Sequence, residues 1–159
     1  MAFATKSTQF TAMFGGSGVP KRDASEINGA LQAQRIDYTH AAGADTGTIE
    51  LGFLPPGDVQ VLVDLCRVVT SQFAAGAVLD LGHRAYVAPD GTAVAADGAA
   101  FANDLAAGAG ALDQTWPLPA SGAKSFSSRE GVAIFATVAS GNMNNGNTIS
   151  GYVTWIGTR

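Results

Sequence analysis

The chain has 159 residues, one ordinary domain's worth and enough to bury a core without disulfides, metal or a cofactor. Only 14% of its residues are charged, against about a quarter in soluble globular chains, while 47% are apolar and 20 are glycine, so partners or further copies of the chain are expected to cover part of its surface. The formal net charge of −4 argues against a nucleic-acid binder, whose footprint is a basic stripe or patch, and no window approaches the roughly 18 apolar residues of a membrane span.

The first 35 residues read as an extended arm. They carry no sustained strand alternation, and Gly15-Gly16-Ser17-Gly18-Val19-Pro20 sits in their middle as a flexible break. Phe3, Phe10, Met13 and Phe14 are apolar anchors that a plain polar tail lacks, and Asp23 to Gln34 has the composition of a short capped helix or turn. Up to Ile36 the basic residues Lys6, Lys21, Arg22 and Arg35 outweigh Asp23 and Glu26, so this stretch is +2 and the remainder −6. Burying the four anchors is worth roughly 6–12 kcal/mol, while ordering about 35 backbones costs roughly 35–70 kcal/mol. An ordered arm must therefore be pinned by backbone pairing to the body, to a neighbouring subunit or to a larger surface. The candidate contact residues are Phe3, Phe10, Met13, Phe14, Lys21 and Arg22. The start of the chain lacks the charged region and apolar run of a secretory signal, so synthesis in the cytoplasm is expected.

From Ile36 to Arg159 the pattern changes to strand and turn, expected as one β-sandwich domain. Ile49, Leu51 and Phe53 alternate with Glu50 and Gly52, Pro55-Pro56-Gly57-Asp58 reads as a turn, and Val59, Val61, Val63 and Leu65 alternate again, which predicts a β-hairpin. A third strand is expected from about Ala77 to Val87, with Leu79 and Leu81 on one face, ending at the turn Pro89-Asp90-Gly91-Thr92. Val94 to Gly108 is rich in alanine and fits a short helix or ordered loop. Leu112 to Leu118, with two prolines close together, fits an edge strand. Val132 to Val138 and Ile149 to Ile156 flank a polar loop and read as a second hairpin, central because both of its faces carry apolar residues. Six to eight strands at this spacing predict an all-β fold, an antiparallel β-sandwich or jelly roll, in preference to βαβ units.

Chemistry is sparse. His40, His83 and Cys66 are too scattered for a zinc site, and the expectation is no metal and no cofactor. Cys66 lies in an apolar stretch and reads as a buried, inert thiol, and His83 as a hydrogen-bonded structural imidazole. The glycine-rich stretch fails as a phosphate loop, because Arg22 and not Ser or Thr follows Lys21, and Ser17 fails as a nucleophile elbow, because Val19 stands where glycine is needed. Asp80, Asp90, Asp97, Asp104 and Asp113 are spread over loops and strands as solvated surface; calcium between Asp90 and Asp104 matches no EF-hand spacing. Tyr86, Trp116, Tyr152 and Trp155 are expected in the core, an exposed coplanar pair being what sugar stacking would require. No catalytic residues are assigned, and the chain reads as a non-enzyme.

Several segments together resemble small structural proteins of tailed bacteriophages, among them capsid decoration (cement) proteins. They are Arg35-Ile36-Asp37-Tyr38, Gly47-Thr48-Ile49-Glu50-Leu51-Gly52, Leu79-Asp80-Leu81-Gly82-His83-Arg84-Ala85-Tyr86, Asp90-Gly91-Thr92-Ala93-Val94-Ala95-Ala96-Asp97 and Arg129-Glu130-Gly131-Val132-Ala133-Ile134-Phe135-Ala136-Thr137-Val138. The likeness spans about Arg35 to Tyr152. It implies a β-sandwich or jelly-roll cement protein on the outer capsid surface, commonly a trimer over three-fold positions, whose partners are the major capsid protein and copies of itself and which binds neither nucleic acid nor membrane. The alternatives are another virion component, such as a head-tail joining, head fibre base or tail protein, or a carbohydrate-binding sandwich.

Overall fold

The computed structural model describes residues 5–6, 31–41, 45–117 and 123–158. Their strands are β1 (Thr5–Lys6), β2 (Leu31–Thr39), β3 (Asp45–Leu54), β4 (Gly57–Leu62), β5 (Arg67–Thr70), β6 (Val78–His83), β7 (Tyr86–Val87), β8 (Ala93–Val94), β9 (Asp97–Leu105), β10 (Asp113–Thr115), β11 (Ala123–Ser128), β12 (Val132–Met143) and β13 (Thr148–Thr158). Two sheets face each other across a core to which both contribute alternate side chains, among them Ile49, Leu51, Leu79, Leu81, Phe101 and Ile134 from one sheet and Ile36, Val59, Val61, Val68, Phe126 and Ile149 from the other.

The first sheet runs β1-β3-β12-β6-β9, antiparallel except where β1 joins β3 in parallel. In the second, β13 pairs along its length with β2 on one side and with β5 and then β4 on the other. β4 pairs in turn with β11, and β5 with β10. A single 3-10 turn at Val63–Leu65 separates β4 from β5, so the two act as one interrupted strand. Set β1 and the small β7-β8 ribbon aside, count β4/β5 as one row and β10/β11 on its far side as another, and each sheet has four antiparallel rows, with most connections crossing between sheets. The chain is a jelly roll.

The expected all-β antiparallel sandwich is therefore present, but several pairings differ from the local reading. β3 and β4 do not form a hairpin: Pro55 and Pro56 carry the chain from one sheet to the other. An apolar stripe on each strand meets a common core equally well from facing sheets as from neighbouring strands. β4 stops at Leu62, and the 3-10 turn leaves Leu65 exposed instead of continuing the buried row of Val59, Val61 and Val63. β12 and β13 are both central, as expected, yet each is the centre of a different sheet and they do not pair with each other.

The strand expected over Ala77 to Val87 breaks after His83, and Tyr86–Val87 folds onto β8 around the Pro89-Asp90-Gly91 turn. There the Thr92 amide donates to Asp90 over 2.8 Å and holds its carboxylate below the usual range. The alanine-rich stretch expected as a helix or ordered loop contains β9. Its register on β6 shifts twice, so Ala100, Phe101 and Ala102 are buried in succession and the alternation that marks a strand is lost. The edge strand expected near Trp116 is β10, a short outer strand on β5. Of the segment Asp23 to Gln34 expected as a helix or turn, residues 31–34 belong to β2 and the rest lies outside the described residues.

Candidate functional site

Among the described residues, the cysteine and both histidines are held in structural contacts. Cys66 is fully buried; its thiol accepts from the Thr154 amide at 3.2 Å, and burial pushes it up to about 11. The His83 imidazole donates through Nδ1 to the Arg84 carbonyl at 3.0 Å and packs edge-on to Tyr86 and Phe126. His40 Nδ1 lies 2.9 Å from the Tyr38 hydroxyl, within a buried pair. Asp80 accepts from the backbone amide of Asp104, and Asp97 from that of Ala99. Among the described residues no three His, Cys, Asp or Glu side chains gather as a metal-ligand set.

Trp116 and Trp155 are core residues, Trp116 tilted against Phe101 with ring centroids 5.1 Å apart, and Tyr86 packs against the core. Of the aromatics considered for stacking on a sugar, Tyr152 alone is exposed. No described helix is long and apolar enough to cross a membrane.

Surfaces remain. In the second sheet Leu31 of β2 and Tyr152 of β13 are exposed large apolar residues, and so is Leu65 in the 3-10 turn between β4 and β5. Tyr152 stands opposite Arg35 on one side and Arg67 on the other, while Leu31 is opposite Ile156. Both arginines are already paired, Arg35 with Asp37 at 3.2 Å and Arg67 with Asp113 at 2.6 Å, so the four charges on this face cancel. Tyr152, expected in the core, is thus on the surface, as the alternation of β13 would have it, whereas nothing local in the sequence marks Leu31 or Leu65 as exposed.

The outer face of the first sheet is differently built. Phe135 points away from the core and is nevertheless buried, with the Arg84 guanidinium 4.7 Å above its ring and Glu50 3.8 Å from Arg84.

At the open side of the sandwich, β2 and β3 are tied by the Gln34 side chain, which accepts from the Phe53 amide at 2.9 Å. On the outer edge of β3, Thr5 and Lys6 pair in register with Ile49 and Glu50. Backbone pairing to the body, one of the three anchorages expected for the N-terminal arm, is thus formed at these two residues. The candidate contacts Phe3, Phe10, Met13, Phe14, Lys21 and Arg22 lie outside the described residues.

No protein-family model matches the chain, and no curated protein matches it in sequence. Solved structures do. A chain from the capsid of Ralstonia phage GP4 superposes with a TM-score of 0.64 at 19% identity, over 99% of this chain and 99% of that one. A chain from the capsid asymmetric unit of cyanophage Pam1 gives a TM-score of 0.50 at 13% identity, over 90% of this chain and 94% of that one. At these identities the likeness is one of fold. It extends from end to end, so those two chains have nearly the length of this one.

Proposed function

We propose that this chain is a virion structural protein, specifically a capsid decoration (cement) protein that binds the outer surface of a tailed-phage head and stabilises contacts between major capsid subunits. The observation that carries the reading is the full-length likeness to a chain from a phage capsid, a jelly roll of matching size with no large part left over on either side. Three features of the chain support it. Its cysteine and both histidines are held in structural contacts, which favours a structural role over an enzymatic one. The chain is poor in charge, and the second sheet presents an exposed tyrosine flanked by arginines, residue types enriched at protein contacts. Its N-terminal segment differs in sign from its body and reaches the edge of a sheet.

In this role no single strong site is needed. Weak apolar and backbone contacts to the major capsid protein and to neighbouring copies, taken as a homotrimer, are multiplied by the symmetry of the shell, so that outward pressure from packaged DNA is shared across subunit seams. The +2 segment lies against the capsid or a neighbouring copy, and the −6 body faces solvent.

Counting copies of the chain against the major capsid protein in purified virions tests this. A decoration protein is present in numbers on the order of hundreds per head, while about a dozen copies would indicate a joining component instead. Absence from virions would remove the reading altogether.

A further inference from the structure

We infer that the first strand is exchanged between copies: β1 pairs with the edge of β3 in a neighbouring copy, in the same parallel register that it has here. The inference rests on the self-association proposed above and names how copies are joined.

Reach is the first support. Phe53 lies three residues along β3 from Glu50, the register partner of Lys6; Gln34 bridges to Phe53; and Leu31, where β2 starts, lies three residues along β2 from Gln34. At about 3.3 Å per strand residue, with the bridging side chain and one strand spacing added, the end of β1 and the start of β2 are no more than about 30 Å apart. Residues 7–30 connect these two points. Extended, that stretch spans roughly 80 Å. Closing onto its own edge would use less than half of this length, and the surplus of about 50 Å exceeds the roughly 40 Å width of a domain this size.

The contact itself is the second support. Parallel backbone pairing at an outer strand is approached from outside the sandwich and presents the same partner atoms in every copy, so transfer from one copy to the next sacrifices no contact. Charge acts in the same sense, because basic Lys6 has acidic Glu50 as its register partner in either copy. On a symmetric shell a neighbour's edge is held at fixed distance, and exchange around a closed ring ties each copy to the next without any new surface.

The test uses full chains. A Lys6→Cys chain and a Glu50→Cys chain, carrying different affinity tags, are co-expressed and mildly oxidised; native Cys66 is buried and does not compete. Exchange predicts a disulfide-linked heterodimer retained on both tags, in clear excess over Lys6→Cys pairs formed by collision. The chain bearing both substitutions should run as linked multimers, and these should also appear in oxidised virions. If the double variant gives only an internally bridged monomer in solution and in virions, exchange is overturned. Failure to form either bridge overturns it too, since β1 would then not lie on β3. Copy number in virions is unaffected by these outcomes, so loss of the exchange and loss of the decoration role are read separately.

Discussion

Gly82→Ala tests the placement of β9, the element least expected from local sequence. Gly82 lies in β6 beside the register shift opposite β9, and a Cβ there would run into the Asp97 carbonyl and the backbone of Gly98. Neither obstacle is the movable tip of a side chain, so β9 itself must shift. Adding a methyl to a filled site costs about 1–3 kcal/mol, and displaced main chain puts the cost near the upper end. At about 2–4 °C per kcal/mol for a domain of this size, the thermal midpoint should fall by roughly 6–12 °C. Gly98→Ala is the matched control, because its Cβ would only touch the Phe135 ring at 3.9 Å. Its effect should stay within about 0.5 kcal/mol. Thermal and urea unfolding followed by circular dichroism compare the two. Equal midpoints would refute the close approach of β6 and β9, and with it the strand assignment of the alanine-rich stretch.

Burial of Cys66 predicts a specific alkaline response. Its thiol is raised from 9.0 to about 11, so between these values an unfolded chain loses the proton that the folded chain keeps, and stability falls as pH rises through that window. The difference amounts to about 2–3 kcal/mol, and Cys66→Ala should flatten it in urea titrations at pH 8 and pH 11; parallel curves for both proteins would contradict the assignment. Trp116→Ala empties a fully buried site against Phe101 and should cost about 3–5 kcal/mol by denaturant unfolding, a loss under 1 kcal/mol being inconsistent with a core position. Deleting Met1 to Gly18 should leave the circular dichroism of the body unchanged and abolish binding to undecorated capsids in a co-sedimentation assay. Undiminished binding would mean that the N-terminal segment does not attach the protein.

Much of the fold is legible in the sequence because the core is written as alternation: Ile49 and Leu51, Val59 and Val61, Leu79 and Leu81 all point inward as their spacing implies. Pairing is not written there. Whether β3 neighbours β4, or β12 neighbours β13, depends on which sheet receives the strand after a turn, and Pro55-Pro56 serves either route. β9 escaped notice because its bulged register buries consecutive residues and because alanine is a strong helix former whose preference the tertiary contacts override. Of the candidate surfaces, the pairing of β1 with β3 answers an expectation drawn from energetics. That Tyr152 stands between Arg35 and Arg67 could not be read without knowing that β2, β13 and β5 are neighbours.

The position of β13 bears on how the protein is made. It is the last described strand in chain order, yet it lies between β2 and the β4/β5 strand, which are synthesised long before it. Until it is added, two stretches with strand-forming sequence have no bridge between them and the second sheet cannot close. Closure of the second sheet must then await synthesis of residues 148–158, and a polypeptide halted before Thr148 has the strands of the first sheet but cannot bridge those of the second. This arrangement acts as a length check: prematurely terminated products leave β2 and the β4/β5 strand unbridged and open to proteolysis.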